Sequence, residues 1–407
     1  MNVIFVEPNF PKNQRQFVRG LAQAGANVIG IGETDKDGLD EELKTWMFDY
    51  IQVPSVCDEQ ALTHAVQFVQ SKIWIDRMEA TVEAHILPVA RVRQACSIPG
   101  ISVETAYLCR DKPAMKAFLT DAQIPTARFL GSGDWDQIDN FVSEVGYPLI
   151  VKPRSGAGAA GTSRVDNDDQ MRQSLEASGL NQGAEVAIEE FVEGHEGFYD
   201  TLTVDGRVQY EFITHYYPNV LEAMRHRWIS PQFMTTNQVD SNPHYEEVKR
   251  LGRQVIQAMK IDNSATHMEW FYGPKGLKFS EIGCRPPGVG AWDLYNVAND
   301  VDLYHQWGGM VRGLPVEQPL SRRFCTGIIA LRPERDGYIS GYSGLDSMER
   351  RFGDSIIDCH FPDPGTPTQG VEAGYMANAW IRMKHHDFDE LKRILDEVGQ
   401  CVKVHAQ

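Results

Sequence analysis

HMEWFYGPKGLKFSEIGCR, residues 267–285, reads as two strands and a tight turn that ends on an arginine. The strands, 267–272 and 277–282, are rich in aromatic and apolar residues, and Gly273-Pro274-Lys275-Gly276 supplies the turn. A hairpin closed this way brings Glu269 and Glu281 to one face. Magnesium takes oxygen ligands, commonly one or two carboxylates completed by phosphate oxygens, so this pair is a candidate metal site. The alternative is two solvent-facing strand glutamates, which the apolar neighbours Phe279 and Ile282 disfavour. His267 shares the face of Glu269, either as its partner or as a core histidine. Arg285 opens a Pro/Gly-rich loop that includes Gly288. Its guanidinium suits a carboxylate or an acyl phosphate held bidentately while the loop wraps a substrate. The bland alternative is a surface arginine in a turn.

Upstream, residues 147–153 form a short apolar strand ending in Lys152-Pro153. Gly156-Ala-Gly158-Ala-Ala-Gly161 follows. By letter it satisfies G-x-G-x-x-G, and it nearly satisfies a P-loop, with Thr162 where lysine is required. Both motifs need a helix immediately afterwards, whereas residues 163–165 look extended. The expectation is a strand–loop–strand flap whose backbone N–H groups, over Ser155, Gly156, Gly158, Gly161 and Thr162, fold onto phosphate oxygens; a plain surface turn is the alternative. Two lysines bracket the flap: Lys152, and Lys112 at the start of the preceding helix, 111–121. Each can direct a compact positive charge at phosphate. Glu189, Glu190, Phe191 and Val192 follow the strand at 186–188. A carboxylate is a pure acceptor and suits an adenine amino group or ribose hydroxyls, with the Phe191 and Val192 backbone reading the base edge. Solvated acids are the competing reading.

Around this centre the pattern is regular. Residues 3–6, 27–31, 50–53 and 73–75 read as strands, with helices at 14–24, 59–70 and 83–96. That β-α-β rhythm predicts a small parallel sheet covered by helices. Later segments give a helix at 170–177 capped by Asn167 or Asp168, a hairpin turning at Asp205-Gly206, and a helix at 245–259. Strands at 326–332 and 377–383 and a helix at 388–398 follow. The chain has 407 residues, 42% hydrophobic and 23% charged, which suits two or three globular units. A net charge of −17 argues against a nucleic-acid partner. No apolar run approaches a membrane helix, and no signal peptide is evident. Seven scattered cysteines without a C-x-x-C pair fit a reducing, cytoplasmic setting. His385-His386 has no metal-ligand companion at useful spacing.

In order and spacing these motifs resemble the ATP-grasp superfamily over about residues 105–310, most closely its carboxylate–amine ligases of amino acids and dipeptides. The resemblance implies an α/β protein. An N-terminal β-α-β pre-ATP-grasp domain (1–105) would precede two α+β subdomains that clasp ATP. These are 106–190, with a lid over about 125–190, and 191–320, which carries the metal; residues 321–407 would complete the latter. It implies that Lys112 and Lys152 bind ATP phosphates, Glu189 with Phe191 and Val192 holds adenine, and Glu196 the ribose. Glu269 and Glu281 would hold Mg²⁺ (or Mn²⁺), and Arg285 would steady an acyl phosphate. Many members carry asparagine two residues after the second metal glutamate; Gly283 stands there, so one amide ligand is missing. The expected partners are small-molecule carboxylate and amine substrates, with Arg225, His226, Arg227 and Trp228 over their pocket. A homodimer is expected from base rates. A carboxylase or acid–thiol ligase, and a non-catalytic nucleotide-binding regulator, are the alternatives.

Overall fold

A computed structural model describes the whole chain apart from residues 157–160, 317 and 372–377. The N-terminal sheet is parallel throughout, in the order Asp49–Gln52, Asn27–Gly32, Asn2–Val6, Arg77–Glu79. Val3, Ile4, Phe5 and Val6 are all fully buried because both faces are covered, which is why their apolar run is unbroken. Ile4 and Val6 pack under the helices Glu59–Gln70 and Ile86–Ala95. Val3 and Phe5 face the other way, into a core shared with Trp292, Tyr304 and Trp307 from the far half of the chain.

One expected strand is displaced. Residues 73–75 are not a strand; the fourth strand is Arg77–Glu79. Ile75 is buried, which produced the apolar signal, but Trp74 is 74% exposed and lies outside the ladder. The pairing is set at Asp76, whose carboxylate accepts the Asn2 N–H at 2.7 Å while its own N–H donates to the Asn2 carbonyl at 3.0 Å. The register then runs from Val3 opposite Arg77.

A four-stranded antiparallel sheet follows, ordered Phe129–Ser132, Val186–Glu190, Leu149–Pro153, Ser163–Val165. Its core includes Ile138 and Leu175 of the helices Trp135–Val145 and Asp168–Ala177. The largest sheet has eight antiparallel strands. In order these are Gly276–Gly283, Ser264–Gly273, His195–Val204, Arg207–Tyr217, Gln232–Thr235, Cys325–Leu331, Ala379–His385 and Ile356–His360. Three strands from beyond residue 320 therefore extend the sheet that carries the 264–283 hairpin. The end of the expected 377–383 strand at Ala377 falls outside the described residues. No helix among the described residues is long and apolar enough to cross a membrane.

The N-terminal unit is docked by close helix packing. Gly20 of Gln14–Gln23 lies against the Tyr304 carbonyl, and Gly308 of Leu303–Val311 lies against the Gly20 carbonyl, with no room for a Cβ at either position. Arg19 pairs with Asp302 at 2.8 Å beside this crossing.

Candidate active site

The site is assembled where the two antiparallel sheets meet. Asp111 caps the helix Lys112–Asp121 through the Ala114 N–H at 2.9 Å and also holds Arg154 with both carboxylate oxygens. The Lys112 N–H donates to the Arg154 carbonyl at 2.9 Å, tying the helix start to the end of the strand Leu149–Pro153. That junction places Lys112 and Lys152 together. The Lys112 ammonium donates to the Gly156 carbonyl at 3.0 Å and lies 3.4 Å from a Glu281 oxygen.

The glycine loop joins two paired antiparallel strands, Val151 opposite Ser163 and Leu149 opposite Val165, with no helix immediately following. Gly156 and Gly161 at its ends have φ of 154° and 69°, values an L side chain rarely adopts. Ser155 is exposed and Thr162 half-buried. Gly158 lies outside the described residues.

Glu189 has company that the sequence reading missed. One oxygen lies 2.9 Å from Lys152 Nζ, the other 3.1 Å from Lys116 Nζ. Lys116 is 1% exposed. It follows Lys112 by one helical turn, the i, i+4 spacing that puts both on one face, and that was the available signal. Burial holds Lys116 below its ordinary pKa despite Glu189; for Lys152, burial is outweighed by Glu189 and Glu281, which hold it above. With both oxygens on lysines, Glu189 positions cations rather than standing free for a base. Beside it, Glu190 accepts the Arg128 N–H and pairs with Lys275 at 2.8 Å. The Phe191 N–H donates to the Pro148 carbonyl at 3.1 Å. Among the described residues neither the Phe191 carbonyl nor the Val192 N–H has a hydrogen-bond partner. Arg164 lies over the Phe191 ring at 4.4 Å.

Glu269 and Glu281 stand opposite one another in register, with a bulge just after Glu269. Burial, then the charges of Glu281 and Glu196, push the Glu269 carboxyl up to about 8. Glu196 is pushed up to about 7 by burial, although it accepts the Val220 N–H at 2.7 Å. His267 Nδ1 donates to Asp200 over 2.7 Å, and Nε2 lies 3.8 Å from Glu269; Asp200 also accepts the Tyr295 hydroxyl at 2.5 Å. Two carboxylates set in register, one of them held neutral by burial and by the charge of the other, form an oxygen donor pair that fits a hard divalent cation. Among the described residues no group of three or more His, Cys, Asp or Glu side chains forms a metal cage. An ion held by this pair would take its remaining ligands from phosphate and water.

Arg285 Nε donates to Glu83 at 2.5 Å, and NH1 to the Pro286 carbonyl at 2.9 Å. Gly288 is exposed in the following loop. Arg227 pairs with Asp336 at 2.5 Å, among contacts that include none of these side chains. Trp228 is 79% exposed. Glu83 was not foreseen, because no local pattern marks a contact between residues 83 and 285.

An ATP-grasp domain model matches residues 117–299. The chain is 31% identical over 235 residues to an L-arginine-specific L-amino acid ligase of Bacillus subtilis, covering 56% of each chain. It is 33% identical over 111 residues to a D-alanine–D-alanine ligase of Clostridium botulinum, covering 26% of this chain and 37% of that one. The matches thus span about half or less of these relatives' length. In fold it resembles an L-amino acid ligase from Bacillus licheniformis, with a TM-score of 0.78 at 16% identity, over 100% of this chain and 98% of that one. It also resembles a phosphoribosylglycinamide synthetase from Anaerococcus prevotii, with a TM-score of 0.71 at 13% identity, over 100% and 99%. Paired lysines beside a glycine loop, two carboxylates in register and the family match over residues 117–299 agree: this chain carries an ATP-grasp domain.

Proposed function

We propose that the protein is an ATP-dependent carboxylate–amine ligase that makes an amide bond through an acyl phosphate and releases ADP and phosphate. The observation that carries this reading is the register pair Glu269–Glu281 set against Lys112, 3.4 Å from Glu281. Mg²⁺ or Mn²⁺ between the two carboxylates would supply charge neutralisation at the phosphate oxygens. Lys112 and Lys152 offset the charge that develops as the substrate carboxylate oxygen attacks the γ-phosphorus and the bond to ADP breaks. The Phe191 carbonyl and Val192 N–H hold the base edge, and Glu196 the ribose. The loop around Gly156 and Gly161 shuts out water, so that the acyl phosphate meets an amine rather than hydrolysis. Arg285 steadies its phosphate while the amine nitrogen bonds to the acyl carbon, phosphate leaves and the nitrogen gives up a proton.

Amino-acid-like substrates are proposed because two relatives are named as ligases of amino acids. The division into 1–105, 106–190, 191–320 and 321–407, and a cytoplasmic setting, belong to the same proposal. The test is ADP release from Mg-ATP against amino acids offered singly and in pairs, with product masses. Release that needs a pair, and a product one water lighter than its parts, is expected. Release driven by bicarbonate or a thiol instead overturns the amine assignment.

A further inference from the structure

We infer that Glu83, contributed by the N-terminal parallel-sheet unit, is a positioning residue that aims Arg285 at the reacting phosphate, and that Gly283 is the gap its carboxylate requires. Glu83 begins the short turn Glu83–His85 ahead of the helix Ile86–Ala95, far in sequence from Arg285. One oxygen accepts Arg285 Nε at 2.5 Å and the other accepts Arg110 NH1 at 2.8 Å. All three side chains are largely enclosed, at 15–18% exposure. Burial alone would raise the Glu83 carboxyl, but the two guanidinium charges outweigh it and hold it below its ordinary range. It is therefore ionised throughout the neutral range.

The anchor leaves Arg285 one free edge. Nε is committed to Glu83 and NH1 to the Pro286 carbonyl, while NH2 donates to no protein group among the described residues. A guanidinium fixed through two nitrogens presents the third in a set direction, which an unanchored arginine does not. The same carboxylate holds Arg110, two residues before Lys112, so it also braces the start of the lysine-bearing helix.

Gly283 fits this arrangement. A Cβ built there would lie 3.1 Å from a Glu83 oxygen and 3.3 Å from Arg285 Cγ. Even a methyl group would therefore crowd both members of the pair, one of which would have to give by a few tenths of an ångström. Gly283 thus complements a carboxylate that reaches in from the N-terminal unit.

The inference rests on the ligase reading. Its test is steady-state kinetics of the full chain, with the carboxylate substrate and ATP varied separately. Arginine Nε–H resonances and melting temperatures are recorded for the same proteins. Glu83→Ala should raise KM for the carboxylate or lower kcat at least tenfold, with KM for ATP within twofold of wild type. Glu83→Gln, which keeps the shape and one acceptor oxygen, should recover part of the loss. Gly283→Ala, which crowds the same pair, should give a smaller defect of the same kind, and it carries the test if Glu83→Ala does not fold. The double variant should be no worse than Glu83→Ala alone. Unchanged kinetics, or equal losses for both substrates that follow the melting temperature, would overturn the inference. If the wild-type chain turns over no substrate pair, it is the ligase reading that falls. The Arg285 Nε–H resonance, identified by its absence from Arg285→Lys, then decides the anchor. It should exchange slowly in wild type and be lost in Glu83→Ala; persistence in Glu83→Ala overturns the inference.

Discussion

Glu269 and Glu281 face each other across neighbouring antiparallel strands, in direct register, on the same side of the sheet as Glu196. Removing either charge should remove the cation site while the lysines stay in place. Glu281→Gln and Glu269→Gln are each expected to lower Mg-dependent ADP release by about 100-fold or more, roughly 3 kcal/mol of transition-state stabilisation. Nucleotide binding measured without Mg²⁺ should change little. Turnover that survives Glu281→Gln would refute the metal assignment.

The crowding of carboxylates also sets a pH dependence. Glu269 titrates near 8 in the folded protein and near 4.5 when unfolded, so the native state binds more protons between those values. Its contribution to stability is full below about 4.5 and is lost as pH rises through about 8. In metal-free buffer the melting temperature of wild type should therefore fall relative to Glu269→Gln over that window. Added Mg²⁺ should narrow the difference most at the alkaline end, because the ion favours the ionised form. Parallel curves for the two proteins, with and without metal, would contradict this.

Lys116 touches Glu189 but is sealed from the cleft, whereas Lys152 and Lys112 border it. Lys116→Met should cost roughly 1–3 kcal/mol of stability, since Glu189 keeps only Lys152 as a partner. Lys112→Met should instead raise KM for ATP or lower kcat with a smaller change in melting temperature, whereas Lys152→Met, which also takes a partner from Glu189, should do both. Chemical denaturation and kinetics on the three variants separate the roles.

The Gly20–Gly308 crossing fixes the unit that carries Glu83. Gly20→Ala would push a methyl group against the Tyr304 carbonyl. Overpacking of this kind typically costs about 1–3 kcal/mol. Loss of stability with an accompanying rise in KM for the carboxylate substrate is expected, from calorimetry and kinetics. A fully wild-type profile would show that the crossing is looser than its spacing.

The sequence by itself determined what short-range pattern controls. The four-residue turn 273–276 fixes a hairpin, and a hairpin fixes the face on which Glu269 and Glu281 meet, so that pair was legible without coordinates. The same holds for the helix 112–121 with its Asp111 cap and for the strand–loop–strand at 149–165, where extended residues after the glycines excluded a helix. Tertiary structure decided the rest. The strand at 77–79 exists because Asp76 pairs with Asn2, and the apolar residues just before it gave a misleading local signal. Lys116 became a partner of Glu189 only when its helix packed against a sheet formed later in the chain. Arg285 and Glu83 lie 202 residues apart. No period or turn encodes their contact, because its geometry depends on how one folded unit docks on another, and that docking is set by apolar and small-residue packing around Gly20, Phe17 and Trp307.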